Sequence, residues 1–389
     1  MYYIILIILL ILILYYYLTC RCQLDYVAND LNIAIINRCN FIKRKMFYYT
    51  PYLFAGLLQA FIASKVQDVD PKLKFVREYV DFGQDFGCFA LDWGSYEGKI
   101  SEQEAKMTEG KPLVVVLSGL TASRVEPYIT NFFSKFCQNQ SDWRIVLYND
   151  RLFNNRIYLD PKRQILPQIG NFHHVEDFRR VLEYIAKKHN KSTIYAIGHS
   201  FGSNTLLKYL GMCGSNGTNP LIKVAVSVGN PYDFQLGMRF LEDSLSDSYI
   251  RKHRQRIARE KIDQYLPIPK HINLDMNKVQ QAKTSLEFDT YFTKPIFGAP
   301  SVDFHYLSIQ CANYMEFIKI PVFLLGSFDD PVINNRAVYP RDAILKNGNL
   351  ISLMTQVGGH ISWFEGVLNP KRWYYKPVLQ YLNAIHQLL

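Results

Sequence analysis

The pentapeptide Gly198-His199-Ser200-Phe201-Gly202 is wedged between a strand-like apolar run, Thr193 to Ile197, and a helix-forming stretch, Ser203 to Leu210. A serine on a sharp strand-to-helix turn needs a strained backbone. Glycines on either side leave room for that strain and for a neighbouring strand at close range. The turn lifts the hydroxyl into the open, and the helix N-terminus behind it favours negative charge developing in front. The pattern reads as a nucleophile elbow.

A G-x-S-x-G match alone is weak, because Gly and Ser are common residues. Its setting strengthens it. After Ser200, the run Pro321 to Leu325 ends in Gly326-Ser327-Phe328-Asp329-Asp330-Pro331, and Leu350 to Val357 leads into Gly358-Gly359-His360. The order Ser, Asp, His is that of the α/β-hydrolases, and both later residues lie just past strand ends, where that fold holds its acid and base. Each residue also has a plain structural reading. A serine before a helix is usually an N-cap, a histidine after a strand a hydrogen-bonded surface residue, and D-D-P a turn. Order and spacing together favour catalysis.

From about Lys72 short apolar runs alternate with helical periods. Phe89 to Trp93, Leu113 to Leu117, Trp143 to Tyr148 and Lys223 to Val228 read as strands, Tyr128 to Phe136 and Val175 to Lys188 as helices. Such alternation predicts an α/β fold with a mostly parallel sheet covered by helices on both faces. Between Val228 and Pro321 it stops for about ninety residues, far more than a crossover needs, and residues 230–315 are expected to form a cap. The expected division is an anchor helix over 1–20, a membrane-proximal segment over 21–71 and a catalytic domain over 72–389. Within the cap, Arg251, Lys252, Arg254, Arg256, Arg259 and Lys261 read as a solvated helix face, or more sharply as a basic rim near lipid headgroups.

With 389 residues and 49% hydrophobic content the chain can bury one large core. Its net charge of +10 suits an anionic membrane surface or an acidic substrate, and no nucleic-acid motif accompanies it. Seven cysteines without repeated spacing indicate neither a disulfide framework nor a zinc site. Cys20-Arg21-Cys22 offers either acylation sites or two stray thiols. Asp81 to Gly87 contains D-F-G, but without a Gly-rich loop or H-R-D it reads as a turn between strands. No metal or organic cofactor is expected. His173, His174 and His199 read as structural.

Tyr2 to Leu18 carries no charge and approaches the roughly 20 apolar residues that cross a bilayer. No basic residue precedes it and no small-x-small site follows it, so a retained anchor is favoured over a cleaved signal peptide. Basic residues after it argue for a cytosolic body, whereas sequons at Asn139, Asn190 and Asn216 would suit a lumenal one, and the side stays open. A second apolar patch, Met46 to Ala63, is expected on the membrane or against the body.

The body resembles the type 4 family of the α/β-hydrolase superfamily, which includes YheT-like proteins and membrane-anchored ABHD esterases and lipases. The resemblance runs from roughly Val76 to the C-terminus. It rests on Leu91-Asp92-Trp93, Ser118-Gly119-Leu120-Thr121, Pro127-Tyr128-Ile129, Asn149-Asp150-Arg151, the elbow, Lys208-Tyr209-Leu210, Asn230-Pro231-Tyr232-Asp233, Phe288-Asp289, Asp329-Asp330-Pro331 and Gly358-Gly359-His360 with Phe364-Glu365-Gly366. It implies Ser200 as nucleophile, His360 as general base and then acid, and Asp330, in preference to Asp329, as the orienting carboxylate. Leu120 and Phe201 would supply the oxyanion amides. Two departures stand out: Ser118 where the family usually has His, and Leu152-Phe153-Asn154-Asn155 where it has a glycine-rich turn.

The expected function is a membrane-anchored ester hydrolase acting on acylglycerols, phospholipids or other acyl esters. An endomembrane such as the endoplasmic reticulum is the expected location. The alternatives are acyl transfer to an alcohol and a non-catalytic lipid-binding scaffold.

Overall fold

Strands built only of Val, Ile, Leu and Ala satisfy their backbones in a ladder but must be covered on both faces. The computed structural model describes residues 2–66, 70–83, 88–120, 122, 124–149, 174–242, 244–265 and 272–389, with side chains omitted over 261–265. Nine strands form one sheet: β1 (Cys22–Tyr26), β2 (Leu73–Asp81), β3 (Cys88–Tyr96), β4 (Leu113–Leu117), β5 (Arg144–Asn149), β6 (Ile194–His199), β7 (Val224–Val228), β8 (Val322–Ser327) and β9 (Leu350–Thr355). Their order is β1-β9-β8-β7-β6-β4-β5-β3-β2. The run from β5 to β9 is parallel, while β1, β3 and β2 join antiparallel at the two sides. Every residue of β4 to β9 is buried.

The helices in chain order are α1 (Tyr2–Thr19), α2 (Asp30–Arg38), α3 (Asn40–Lys43), α4 (Gly56–Lys65), α5 (Glu102–Ala105), α6 (Pro127–Asn139), α7 (His174–Lys188), α8 (Phe201–Ser215), α9 (Phe234–Leu241) and α10 (Leu245–Tyr265). Shorter cap helices and a C-terminal helix, Tyr375–His386, follow. The amphipathic period of α7 buries Phe178, Val181, Leu182 and Ile185 and leaves its charges outside. The sheet is thus an α/β-hydrolase sheet, with β6 at its centre feeding α8.

The body begins well before residue 72, and the expected boundary is corrected. β1 pairs with β9 from Cys22 opposite Thr355 to Tyr26 opposite Ile351. The Asn29 and Asn32 amides both donate to Gly348 O at 2.9 Å, and the Phe41 amide donates to Gln380 of the C-terminal helix. Asp25 is buried and accepts from Tyr339 Oη at 2.9 Å. This segment is therefore part of the fold. Cys20 and Cys22 are buried as well, which removes the acylation alternative, and burial pushes the Cys22 thiol up to about 12. The Met46 to Ala63 patch lies against the body through α4. Gln59, the polar interruption in that patch, donates to Leu53 O and accepts from the Phe364 amide.

Between β7 and β8 the insertion is helical and has a small core of its own, formed by Ala258, Val279, Ala282, Phe288, Phe292 and Ile296. Its basic run divides. Lys252, Arg256 and Arg259 are exposed, as a solvated face requires. Arg254 instead points inward, pairs with Asp289, donates to Thr293 Oγ1 at 3.0 Å and lies over the Phe288 ring. The side chain of Lys261 lies outside the described residues. So do Gln84 to Gly87, Thr121, Asp150, Arg151, the Leu152 to Asn155 departure and His173.

Candidate active site

β6 ends at His199, and Ser200 turns the chain with φ of 51° and ψ of −119°. A side-chain-bearing residue held there costs on the order of 1–3 kcal/mol, so the surroundings must over-determine it. They do. The Ser200 amide donates to Val228 O at 2.8 Å, and Ser203 Oγ ties Gly198 O to the Val228 amide. A Cβ on Gly198 would lie 2.4 Å from Ser203 Cα, and one on Gly202 would lie 2.4 Å from Ser118 O. No other residue fits either position without moving backbone.

The turns after β8 and β9 meet this elbow. His360 Nε2 lies 3.0 Å from Ser200 Oγ, and Nδ1 lies 2.7 Å from Asp330 Oδ2. The other Asp330 oxygen accepts from the Val332 and Ile333 amides at 2.8 and 3.0 Å. A carboxylate so held accepts a hydrogen bond from Nδ1–H and leaves Nε2 free to receive the serine proton. Asp330 is fully buried, and only the edge of His360 reaches the cavity.

Asp329 faces another way. Its Oδ1 accepts from Ser327 Oγ at 2.5 Å and from the Gly358 and Gly359 amides at 2.9 and 3.0 Å. Burial raises this carboxyl, and those donors offset only part of the rise. Asp329 therefore holds the turn that carries His360, while Asp330 touches the imidazole.

Gly119 and Leu120 follow β4 beside the elbow. The Gly119 amide is engaged by Tyr128 Oη at 2.9 Å, and a Cβ on Gly119 would lie 3.3 Å from Ser200 Cβ. Leu120 and Phe201 both line the cavity above Ser200, and Phe201 opens α8, where helix amides lack intrahelical acceptors. Ser118 bonds weakly to Ala122 O at 3.4 Å, within the loop that the usual histidine would support.

The cavity measures about 810 Å³ and is mostly apolar. Taking Ser200 and His360 as its floor, the cavity is also lined by Met238, Leu241, Tyr249 and Ile250 of the cap and by Leu57 and Phe61 of α4. His305 and the Arg254–Asp289 pair line it as well. Burial lowers His305 to about 4 and keeps it neutral. Burial pushes Asp289 up, but Arg254, Thr293 and Tyr306 more than reverse this and hold it below the usual carboxylate range. His199 points away from the cavity into a box of Tyr128, Phe132 and Tyr374, where burial lowers it to about 3. His174, expected to be structural, lines the cavity with its ring 4.7 Å from Phe201. Among the described residues no cluster of three His, Cys, Asp or Glu side chains could hold a metal.

A family model described as "Alpha/beta hydrolase of unknown function (DUF915)" matches residues 172–261, a span that includes the elbow. The chain has the α/β-hydrolase fold. Phospholipase ABHD3 of Homo sapiens is 27% identical over 82% of this chain and 74% of its own length. The monoacylglycerol lipase of Saccharomyces cerevisiae is 25% identical over 72% and 60%. The medium-chain fatty acid ethyl ester synthase/esterase 2 of the same yeast is 23% identical over 88% and 86%. Among solved structures, an esterase of Pyrococcus furiosus is 16% identical with a TM-score of 0.43 over 76% of this chain and 87% of that one.

The α4 wall escaped the sequence reading, because nothing local links residues near 57 to a serine at 200. The available signal was Gln59, a polar side chain that an apolar run must bury against something.

Proposed function

We propose that this protein is a membrane-anchored serine hydrolase that cleaves carboxylic esters of lipids. The observation that carries the reading is the relay from Ser200 through His360 to Asp330 at the floor of a large apolar cavity. Ser200 Oγ attacks the ester carbonyl as its proton passes to His360 Nε2. The tetrahedral oxyanion is held by the Phe201 and Leu120 amides. His360 returns the proton to the departing alkoxide, leaving the acyl group on Ser200. Water then repeats the sequence and releases the acid.

An apolar acyl chain suits the cavity wall, and curated relatives named for phospholipid and monoacylglycerol cleavage support a lipid substrate. Anchoring by α1 is supported by its build. Its 18 residues carry no charge and have a mean hydropathy of 2.4, and at about 1.5 Å per residue they nearly match a hydrocarbon core of about 30 Å. Its last turn is tied to the body: Tyr16 Oη donates to Tyr49 O at 2.7 Å, and Thr19 Oγ1 meets Tyr49 Oη at 2.8 Å. A leader destined for removal has no need of such contacts.

Ser200→Ala is expected to fold normally while losing ester hydrolysis by about a millionfold and all labelling by a serine-reactive phosphonate. Undiminished labelling would refute the nucleophile assignment, and absence of turnover in the parent protein would favour a lipid-binding scaffold. A second reading, acyl transfer to alcohol, is favoured by the yeast synthase/esterase relative. Product ratios in mixed water and ethanol discriminate between the two outcomes for the acyl-enzyme.

A further inference from the structure

Between the end of α1 and the end of α4, large apolar side chains face outward with no protein over them. Tyr48, Tyr52, Phe54, Leu57 and Phe61 are each about half exposed, and Leu58 is exposed beside them. Scattered apolar residues on a surface need no explanation, but a contiguous cluster marks an interaction site. Its position in the chain of contacts names the partner. Tyr49 is clasped by Tyr16 and Thr19 of α1, with the Tyr16 and Tyr49 rings 4.8 Å apart. The patch therefore starts where the apolar helix leaves the body.

Charge surrounds the same root. The Cys22 amide donates to Lys45 O at 2.8 Å, and Arg21 bridges to Met46, so exposed Arg21, Lys43, Arg44 and Lys45 gather around the end of α1. Aromatic residues with a basic fringe suit the boundary between acyl chains and anionic headgroups. A soluble protein partner would not also accommodate the exposed apolar run from Tyr2 to Tyr15 next to it.

The far end of the patch reaches the site. Leu57 and Phe61 line the cavity while remaining half exposed, so α4 forms its rim. Gly56 packs on the turn that carries His360, since a Cβ on Gly359 would lie 2.5 Å from Gly56 O.

We propose that the segment from Tyr48 to Lys65 lies in the headgroup–acyl boundary of the leaflet that holds the C-terminal end of α1. The cavity mouth then opens onto the bilayer. A lipid acyl chain slides past Leu57 and Phe61 toward Ser200 without crossing water. The supply route rests on the hydrolase reading; the docking itself does not.

The test uses the full-length protein in vesicles of phosphatidylcholine and phosphatidylserine, with flotation to establish incorporation. All four native tryptophans are buried, so Phe54→Trp introduces an exposed reporter. Brominated acyl chains are expected to quench the emission of this variant well beyond that of the parent. In parallel, the double variant Phe54→Asp with Leu58→Glu alters the patch but not the cavity lining. Its turnover of soluble p-nitrophenyl butyrate is expected to match the parent, while hydrolysis of a long-chain ester embedded in the vesicles falls by at least about tenfold. Absence of extra quenching, or equal rates on the embedded ester, overturns the docking. If the parent cannot cleave the soluble ester, the hydrolase reading fails, and the quenching result alone decides the docking.

Discussion

Around Ser200 the backbone is held from several sides, by the Val228 carbonyl, by Ser203 Oγ and by glycines whose hydrogens touch backbone. The cap facing it across the cavity rests on a handful of buried apolar residues and on the pair of Arg254 with Asp289. The floor stores strain and can do so because the sheet beneath it cannot rearrange cheaply. The cap has the smaller core, and a segment with few buried apolar contacts costs less to open locally. On the proposed reading, chemistry belongs to the side with the larger core and selection to the other.

The largest effects are expected where the floor is cut at its charge. Asp330→Asn keeps the shape of the relay but favours the wrong imidazole tautomer, and turnover should drop by about ten thousandfold with little change in stability. Asp329→Asn provides the contrast. Its remaining carbonyl oxygen still accepts from Gly358 and Gly359, so the His360 turn stays in position and the loss should stay within about tenfold. Steady-state rates on a soluble ester check both. Equal losses for the two variants would exchange or merge their roles.

Arg254→Ala comes next and strikes the roof. It leaves Asp289 buried without its cation, a defect that costs about 3–5 kcal/mol in comparable buried pairs. If floor and cap are as separable as their cores suggest, hydrogen exchange should rise across 245–265 and 272–306 while β4 to β9 remain protected. A small phosphonate should still label Ser200. Replacing both partners by apolar residues, Arg254→Met with Asp289→Leu, should restore much of the protection. Cooperative loss of the whole sheet would mean that the cap is no separate unit.

The same contrast explains what could be read from the sequence. The elbow, D-D-P and G-G-H are local strings whose backbone demands are printed in their glycines and proline, and the parallel strands appear as unbroken apolar runs. Ser200, His360 and Asp330 were therefore legible, as was the insertion between β7 and β8. β1 was not. It is five residues long, has one neighbour in the sheet, and includes Gln23 together with Asp25, whose fit depends on Tyr339 and Arg341 far along the chain; Gln23 itself bonds to Asp25. Arg254 was hidden among exposed cations of the same helix, because charge count along α10 carries no record of which residue meets Asp289.

The smallest expected effect is a response to acid that sharpens the comparison, since each region buries a histidine that burial holds neutral. His199 in the floor is surrounded by uncharged rings and titrates at about 3; His305 in the cap, near Asp289, His174, Arg254 and Lys208, titrates at about 4. In the unfolded chain both would titrate near 6.5. As pH falls below that value the unfolded state takes up protons first, so each residue withdraws stability at about 1.4 kcal/mol per pH unit until its own folded pKa is reached. The full contribution is present above about pH 6.5. Denaturant midpoints measured from pH 7 to pH 5 should therefore decline, and His199→Leu should flatten the decline for the sheet. His305→Leu should flatten instead the pH-dependent exchange of cap amides, with the sheet unaffected. If either substitution flattened both, floor and roof would be titrating as one body, and the division between a rigid catalytic surface and an adaptable cover would have to be abandoned.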